Sequence, residues 1–109
     1  MRRCGITLNR NSLPFDPNGP WYTSGLRVGT PAVTTIGMRP AEMRELASVF
    51  KLILSHTTPE NHSSGKPSKA KFAIDPTAEQ EARERVTALL AAHPVYPNLD
   101  LAVLQRLFA

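Results

Sequence analysis

The sequence predicts an α+β fold: a small, mostly antiparallel sheet with two amphipathic helices packed on one side. Three observations predict it. Short stretches of alternating polarity occupy residues 5–11 and the surroundings of Arg27. The apolar spacing then lengthens to that of a helix over 40–55 and again over 76–92. Finally, 109 residues suffice for one domain with a modest core. Hydrophobic residues make up 41% of the chain, but ten prolines and only 6% aromatics imply many loops and a thin core.

The elements follow in order. In "GITLNRN", Ile6 and Leu8 fall on one face and Thr7, Asn9 and Asn11 on the other, the pattern of a half-buried strand over about 5–11. "SLPFDPNGPWY" carries three prolines and an Asn-Gly pair, which predicts an ordered loop without repetitive structure. A second strand follows in "TSGLRVGTPA" and ends near Thr30-Pro31. Its pleat directs Leu26 and Val28 one way and Gly25, Arg27 and Gly29 the other, so a single guanidinium stands in a slot between two glycines. From Pro40, the residues Met43, Leu46, Ala47, Phe50, Ile53 and Leu54 mark an amphipathic helix with proline suited to its first turn.

Residues 56–72 turn to Ser, Thr, Pro, Asn, Gly and Lys without a periodic apolar face, which predicts a flexible connector. "DPTAEQEARERVTALLAA" restores helical order, with Asp75 as cap and Pro76 first in the helix. Glu79 with Arg83 and Glu81 with Arg85 are favourable i, i+4 pairs, and Ala82, Val86, Leu89 and Leu90 form the core stripe. A short terminal helix gathers Leu101, Leu104, Leu107 and Phe108 on one side. Two strands make a poor sheet, so the domain reads as one that begins partway through.

Composition excludes several functions. A net charge of +4 permits anionic partners without choosing among them. The lysines of "GKPSKAK" have no interleaved aromatics for stacking, which argues against nucleic acid. "SSGKPS" fails as a phosphate loop, because Glu60 stands at the first glycine and Pro67 at the hydroxyl position. His56, His62, His93 and Cys4 lack metal-ligand spacing, so no metal site is expected. A lone cysteine forms no internal disulfide, no apolar run spans a membrane, and "MRRC" opens no secretion signal; a cytoplasmic protein is expected.

The order of signals from Gly5 to Met38, "GITLNRNSLPFDPNGPWYTSGLRVGTPAVTTIGM", resembles the C-terminal small-domain region of serine hydroxymethyltransferase. That pattern runs near G-I-T-V-N-K-N, P-x-D-P and T-S-G-hydrophobic-R-hydrophobic-G-T-P-A. The likeness continues more loosely through "EMRELA" and "ERVTALLAAHPVYP" to Leu99.

This resemblance implies that residues 1–109 are a partial C-terminal domain of a fold-type I pyridoxal-phosphate enzyme. Such enzymes exchange serine and tetrahydrofolate for glycine and methylenetetrahydrofolate. Arg27 matches the arginine that binds the substrate carboxylate, a task for which a planar guanidinium fork suits better than lysine. Asn11, Gly19, Pro20 and Trp21 match the folate-binding positions. Trp21 stands where the family often has Phe, and Ile36 where it commonly has Arg.

The Schiff-base lysine and its motif lie in a large domain outside this sequence. The chain is therefore expected to carry no catalytic residue of its own and to bind pyridoxal phosphate only as part of the complete enzyme. The alternative is a non-catalytic assembly module that docks on a separate large-domain chain or forms a homodimer.

Overall fold

The computed structural model describes residues 1–108, apart from the side chain of Leu101. A 3-10 turn at Arg2–Cys4 opens the chain. Strands β1 (Asn9–Asn11) and β2 (Gly25–Arg27) pair antiparallel, with Asn9 opposite Arg27 and Asn11 opposite Gly25. Helix α1 (Pro31–Thr35) leads into helix α2 (Pro40–Ser55). Strands β3 (Thr57–Asn61) and β4 (Pro67–Ile74) form a second antiparallel hairpin, followed by helices α3 (Pro76–Ala92) and α4 (Leu101–Phe108).

The α+β class therefore stands, while its arrangement differs from the expected single sheet. Among the described residues there are two separate two-stranded sheets, and α2 and α3 pack chiefly on each other. Cys4, Val49, Ile53 and Ala82 are essentially sealed from solvent, and Ile6 and Val86 complete the cluster. The N-terminal turn supplies the third wall that the expected sheet would have given. Arg3 pairs with Glu79 at 2.6 Å, and Arg83 donates to the Arg3 carbonyl oxygen at 2.7 Å.

Both long helices start and stop where their sequences dictate. Asp75 accepts the Thr77 amide at 2.8 Å, and the Glu42 carboxylate turns back onto the Arg39 amide at 2.7 Å. That bond holds the Glu42 carboxyl below the ordinary glutamate range. Arg85 joins the helices, bonding Glu45 at 2.6 Å and Ser48 Oγ at 2.9 Å while meeting Glu81 at 3.3 Å within α3. Its hydrogen bond to Glu45 lowers the Glu45 carboxyl and raises the Arg85 guanidinium from their ordinary values.

Three expectations are corrected. The first strand is only Asn9–Asn11, because Gly5–Leu8 leaves the ladder to place Ile6 in the core. The 56–72 stretch is mostly paired backbone, since Thr57 opposes Ile74 and Pro59 opposes Phe72. An irregular register between Pro59 and Asn61 fits the Ser68 hydroxyl, which accepts the Ala70 and Lys71 amides at 3.2 and 3.0 Å. Lastly, Leu54 and Leu90 are exposed instead of joining the core, while Val49 and Ala78 are buried.

Candidate functional site

The β1–β2 ribbon organises the residues singled out in the sequence. Opposed residues in an antiparallel pair share a face, so Asn9, Asn11, Gly25 and Arg27 lie on one side and Arg10 and Leu26 on the other. The pairing thus puts both asparagines of "NRN" beside Arg27, one directly opposite and one on the diagonal. The Arg27 side chain is exposed and makes no hydrogen bond or ion pair among the described residues. Its guanidinium keeps all its donors for an incoming acceptor.

The expected slot between two glycines is half correct. A Cβ at Gly25 would stand 2.7 Å from the Asn11 carbonyl oxygen and 2.7 Å from Leu13 Cδ2, so the space is already taken by the chain itself. Gly29 meets only Pro31 Cδ, at 3.6 Å, and stays open. Nor is the opposite face a core face, since Leu26 and Val28 are about half exposed.

The loop between the strands is held by one carboxylate that sequence reading passes over. Asp16 accepts the Leu13, Asn18 and Ser24 amides at 3.3, 3.0 and 2.8 Å and the Ser24 hydroxyl at 2.8 Å. Those donors favour the charged form and pull its carboxyl down to about 2, the Ser24 and Asn18 amides leading. Asn18 Nδ2 also donates to Ser24 Oγ at 2.8 Å. Gly19, at φ 69, closes the Asp16-Pro17-Asn18-Gly19 turn through an amide bond to the Asp16 carbonyl oxygen at 3.1 Å. The signal available in the sequence is Asp-Pro-Asn-Gly, but its use of Ser24 needs the folded loop.

Two aromatics ride on this frame. Trp21 is 86% exposed, and Phe15 is fully exposed at φ 56, a conformation unfavourable for a bulky residue. Lys69 of β4 places its Nζ 5.9 Å from the Tyr22 ring centre, in cation–π range, and so ties the second hairpin to this loop. Asn11, Gly19, Pro20 and Trp21 thus belong to one ribbon and its loop, with Arg27 on the returning strand.

A separate apolar groove of about 320 Å³ lies beyond the end of the ladder. Leu8 and Val28 form its walls where the strands diverge, with Met43, Ala47 and Phe50 of α2 and Leu90 of α3. None of the predicted site residues lines it. The four lysines, Lys51, Lys66, Lys69 and Lys71, are all exposed and also lie outside it. Among the described residues, no group of three or more His, Cys, Asp or Glu is placed to hold a metal ion. No helix there is long and apolar enough to cross a membrane.

Comparison with known proteins gives the ribbon its context. The family model "Serine hydroxymethyltransferase" matches residues 1–50, which include both strands and the loop. The serine hydroxymethyltransferase of Salinispora tropica is 47% identical over 97 residues, 89% of this chain and 20% of the relative. That of Cutibacterium acnes is 48% identical over 98 residues, 90% of this chain and 20% of the relative. That of Treponema pallidum is 47% identical over 105 residues, 96% of this chain and 18% of the relative. No solved structure matches the chain. The chain spans about a fifth of the length of these relatives, and by that similarity it belongs to the serine hydroxymethyltransferase family.

Proposed function

We propose that this chain supplies the carboxylate-binding arm and part of the folate-contacting wall of a serine hydroxymethyltransferase active site, as its C-terminal small domain. The substrates are then serine and tetrahydrofolate, and the products glycine and methylenetetrahydrofolate. The observation that carries the reading is the ribbon register, in which Arg27 stands with free donors beside Asn9 and Asn11 within the matched segment.

Arg27 receives the amino-acid carboxylate through two parallel N–H donors and so fixes the orientation of the substrate Cα. Asn11, Gly19, Pro20 and Trp21 contact the folate, with the Trp21 ring offering a flat apolar face. Asp16 holds that loop in shape, so the wall is formed before the ligand arrives.

Pyridoxal phosphate supplies the electron sink for this chemistry in the complete enzyme. The residues of this chain do not fit it: a Schiff-base lysine needs an enclosed site, and the four lysines here are exposed. The cofactor's contacts therefore belong to the four fifths of the relatives' length that this chain does not match.

The test is complementation. The part of the Salinispora tropica relative outside the match, made as a separate polypeptide, is mixed with this chain and assayed for serine–glycine interconversion. Turnover is expected from the mixture, and Arg27→Lys is expected to lower it roughly 10- to 100-fold, the loss of a charge-assisted hydrogen bond at constant charge. An inactive mixture, or an active one indifferent to Arg27→Lys, removes the proposal. A second reading, an assembly module without a catalytic role, is favoured by the open apolar groove.

A further inference from the structure

The β3–β4 hairpin carries an irregularity that aims one lysine. Its ladder runs from Thr57 opposite Ile74 to Pro59 opposite Phe72 and resumes with Asn61 opposite Pro67. Only Glu60 lies between those points on β3, whereas Ser68, Lys69, Ala70 and Lys71 lie between them on β4, so β4 bulges. Extra residues in one strand bend it and re-aim a side chain. The bulge is closed from within, because Ser68, only 8% exposed, accepts the Ala70 and Lys71 amides on its hydroxyl. Lys69 stands in this bulge, with its ammonium over the Tyr22 ring.

No carboxylate competes for that ammonium. The ion pairs among the described residues join Arg3, Arg83 and Arg85 to Glu45, Glu79 and Glu81, and Lys69 enters none of them. Tyr22 lies in the span between Asn18 and Ser24, two residues whose amides Asp16 grips. That grip fixes the ends of the span, and the nearly bare Trp21 rides within it beside the half-covered Tyr22. A contact on the Tyr22 ring therefore steadies the span at a point the Asp16 network does not reach.

We propose that Lys69 is a positioning residue for folate: the bulge of the second hairpin sets its ammonium on Tyr22 and so holds the Trp21 face in the orientation that the folate meets. This rests on the reading of Pro20 and Trp21 as part of the folate wall. It adds a residue from outside the segment 1–50 that the family model matches.

Trp21 is the sole tryptophan, so its fluorescence anisotropy decay reads the loop in this chain directly. Lys69→Met is expected to enlarge the fast component of that decay with unchanged far-ultraviolet circular dichroism. Lys69→Arg, which keeps a cation for the ring, is expected to decay like the parent chain. Tyr22→Leu is expected to match Lys69→Met, and the double variant to go no further than either alone. In the mixture with the unmatched part of the Salinispora tropica relative, Lys69→Met is expected to raise the KM for tetrahydrofolate about 2- to 5-fold, the usual worth of an exposed cation–π contact, with kcat and the KM for serine unchanged. A parent-like decay in Lys69→Met, a decay that Lys69→Arg fails to restore, or a double variant that adds the two effects overturns the tether. A tetrahydrofolate KM indifferent to Lys69→Met, or a serine KM that rises equally, overturns the positioning role. A mixture in which even the parent chain gives no turnover removes the folate reading itself, and the anisotropy then still decides whether Lys69 tethers the loop.

Discussion

Gly25 has no room for a methyl group, since Leu13 and the Asn11 carbonyl already occupy the position a Cβ would take. Gly25→Ala is therefore expected to destabilise the ribbon by about 1–3 kcal/mol, the usual cost of overpacking, and a thermal melt reads this as a lowered midpoint. From sequence, the glycine reads as one side of an open slot around Arg27; its neighbour is in fact the chain's own Leu13, which no spacing rule reveals. Arg27 and Asn11 were legible because pleat alternation alone assigns their face. Asp16 was not, because its role depends on Ser24 folding back eight residues later. Its carboxyl titrates near 3.8 when free and near 2 in the folded loop. A depressed folded value means that its contribution is complete above pH 3.8 and is lost as pH falls through about 2. Trp21 fluorescence, followed through that acid range, is expected to report the loosening of the loop. Asp16→Asn, which cannot titrate, is expected to abolish that transition.

Helices α2 and α3 were legible almost to the residue, because proline at the first position, an acidic cap or capping glutamate and a 3.6-residue period all coincide. Asp75→Ala removes the bond to the Thr77 amide and is expected to cost about 1 kcal/mol, seen as a lower urea midpoint in far-ultraviolet circular dichroism. What those helices touch was less legible. Amphipathicity says that a face is buried without saying against what, and here the partner of α2 is α3 together with the turn around Cys4. The β3–β4 hairpin escaped notice for a different reason. Its strands are rich in Ser, Thr, Lys and Pro, most of its side chains are exposed, and it is held by backbone pairing that leaves little trace in hydropathy.

Across the whole molecule the chain is long and open, measuring 54 × 31 × 26 Å with a radius of gyration of 17.5 Å, against about 13 Å for a compact domain of this length. Leu107 and Phe108, at the end of α4, are 70% and 85% exposed. With this much apolar surface, the isolated chain is expected to bind an environment-sensitive hydrophobic dye and to form oligomers at micromolar concentration. Light scattering that shows a dye-negative monomer would contradict this. The sequence already hinted at the shortfall, since two strands are too few for two amphipathic helices. One architectural detail extends to the birth of the protein. The core seals only when the Cys4 turn meets Ala82 and Val86, and the contacts fastening it, from Arg3 to Glu79 and from Arg83 to the Arg3 carbonyl, link residues 76 and 80 positions apart. The hairpins and the α2–α3 pair close shorter loops. During translation, at 5–20 residues per second, Cys4 and Ile6 therefore wait roughly 4–16 s for Ala82 and Val86 to be made. For that interval Cys4 and Ile6 lack the α3 side of their core.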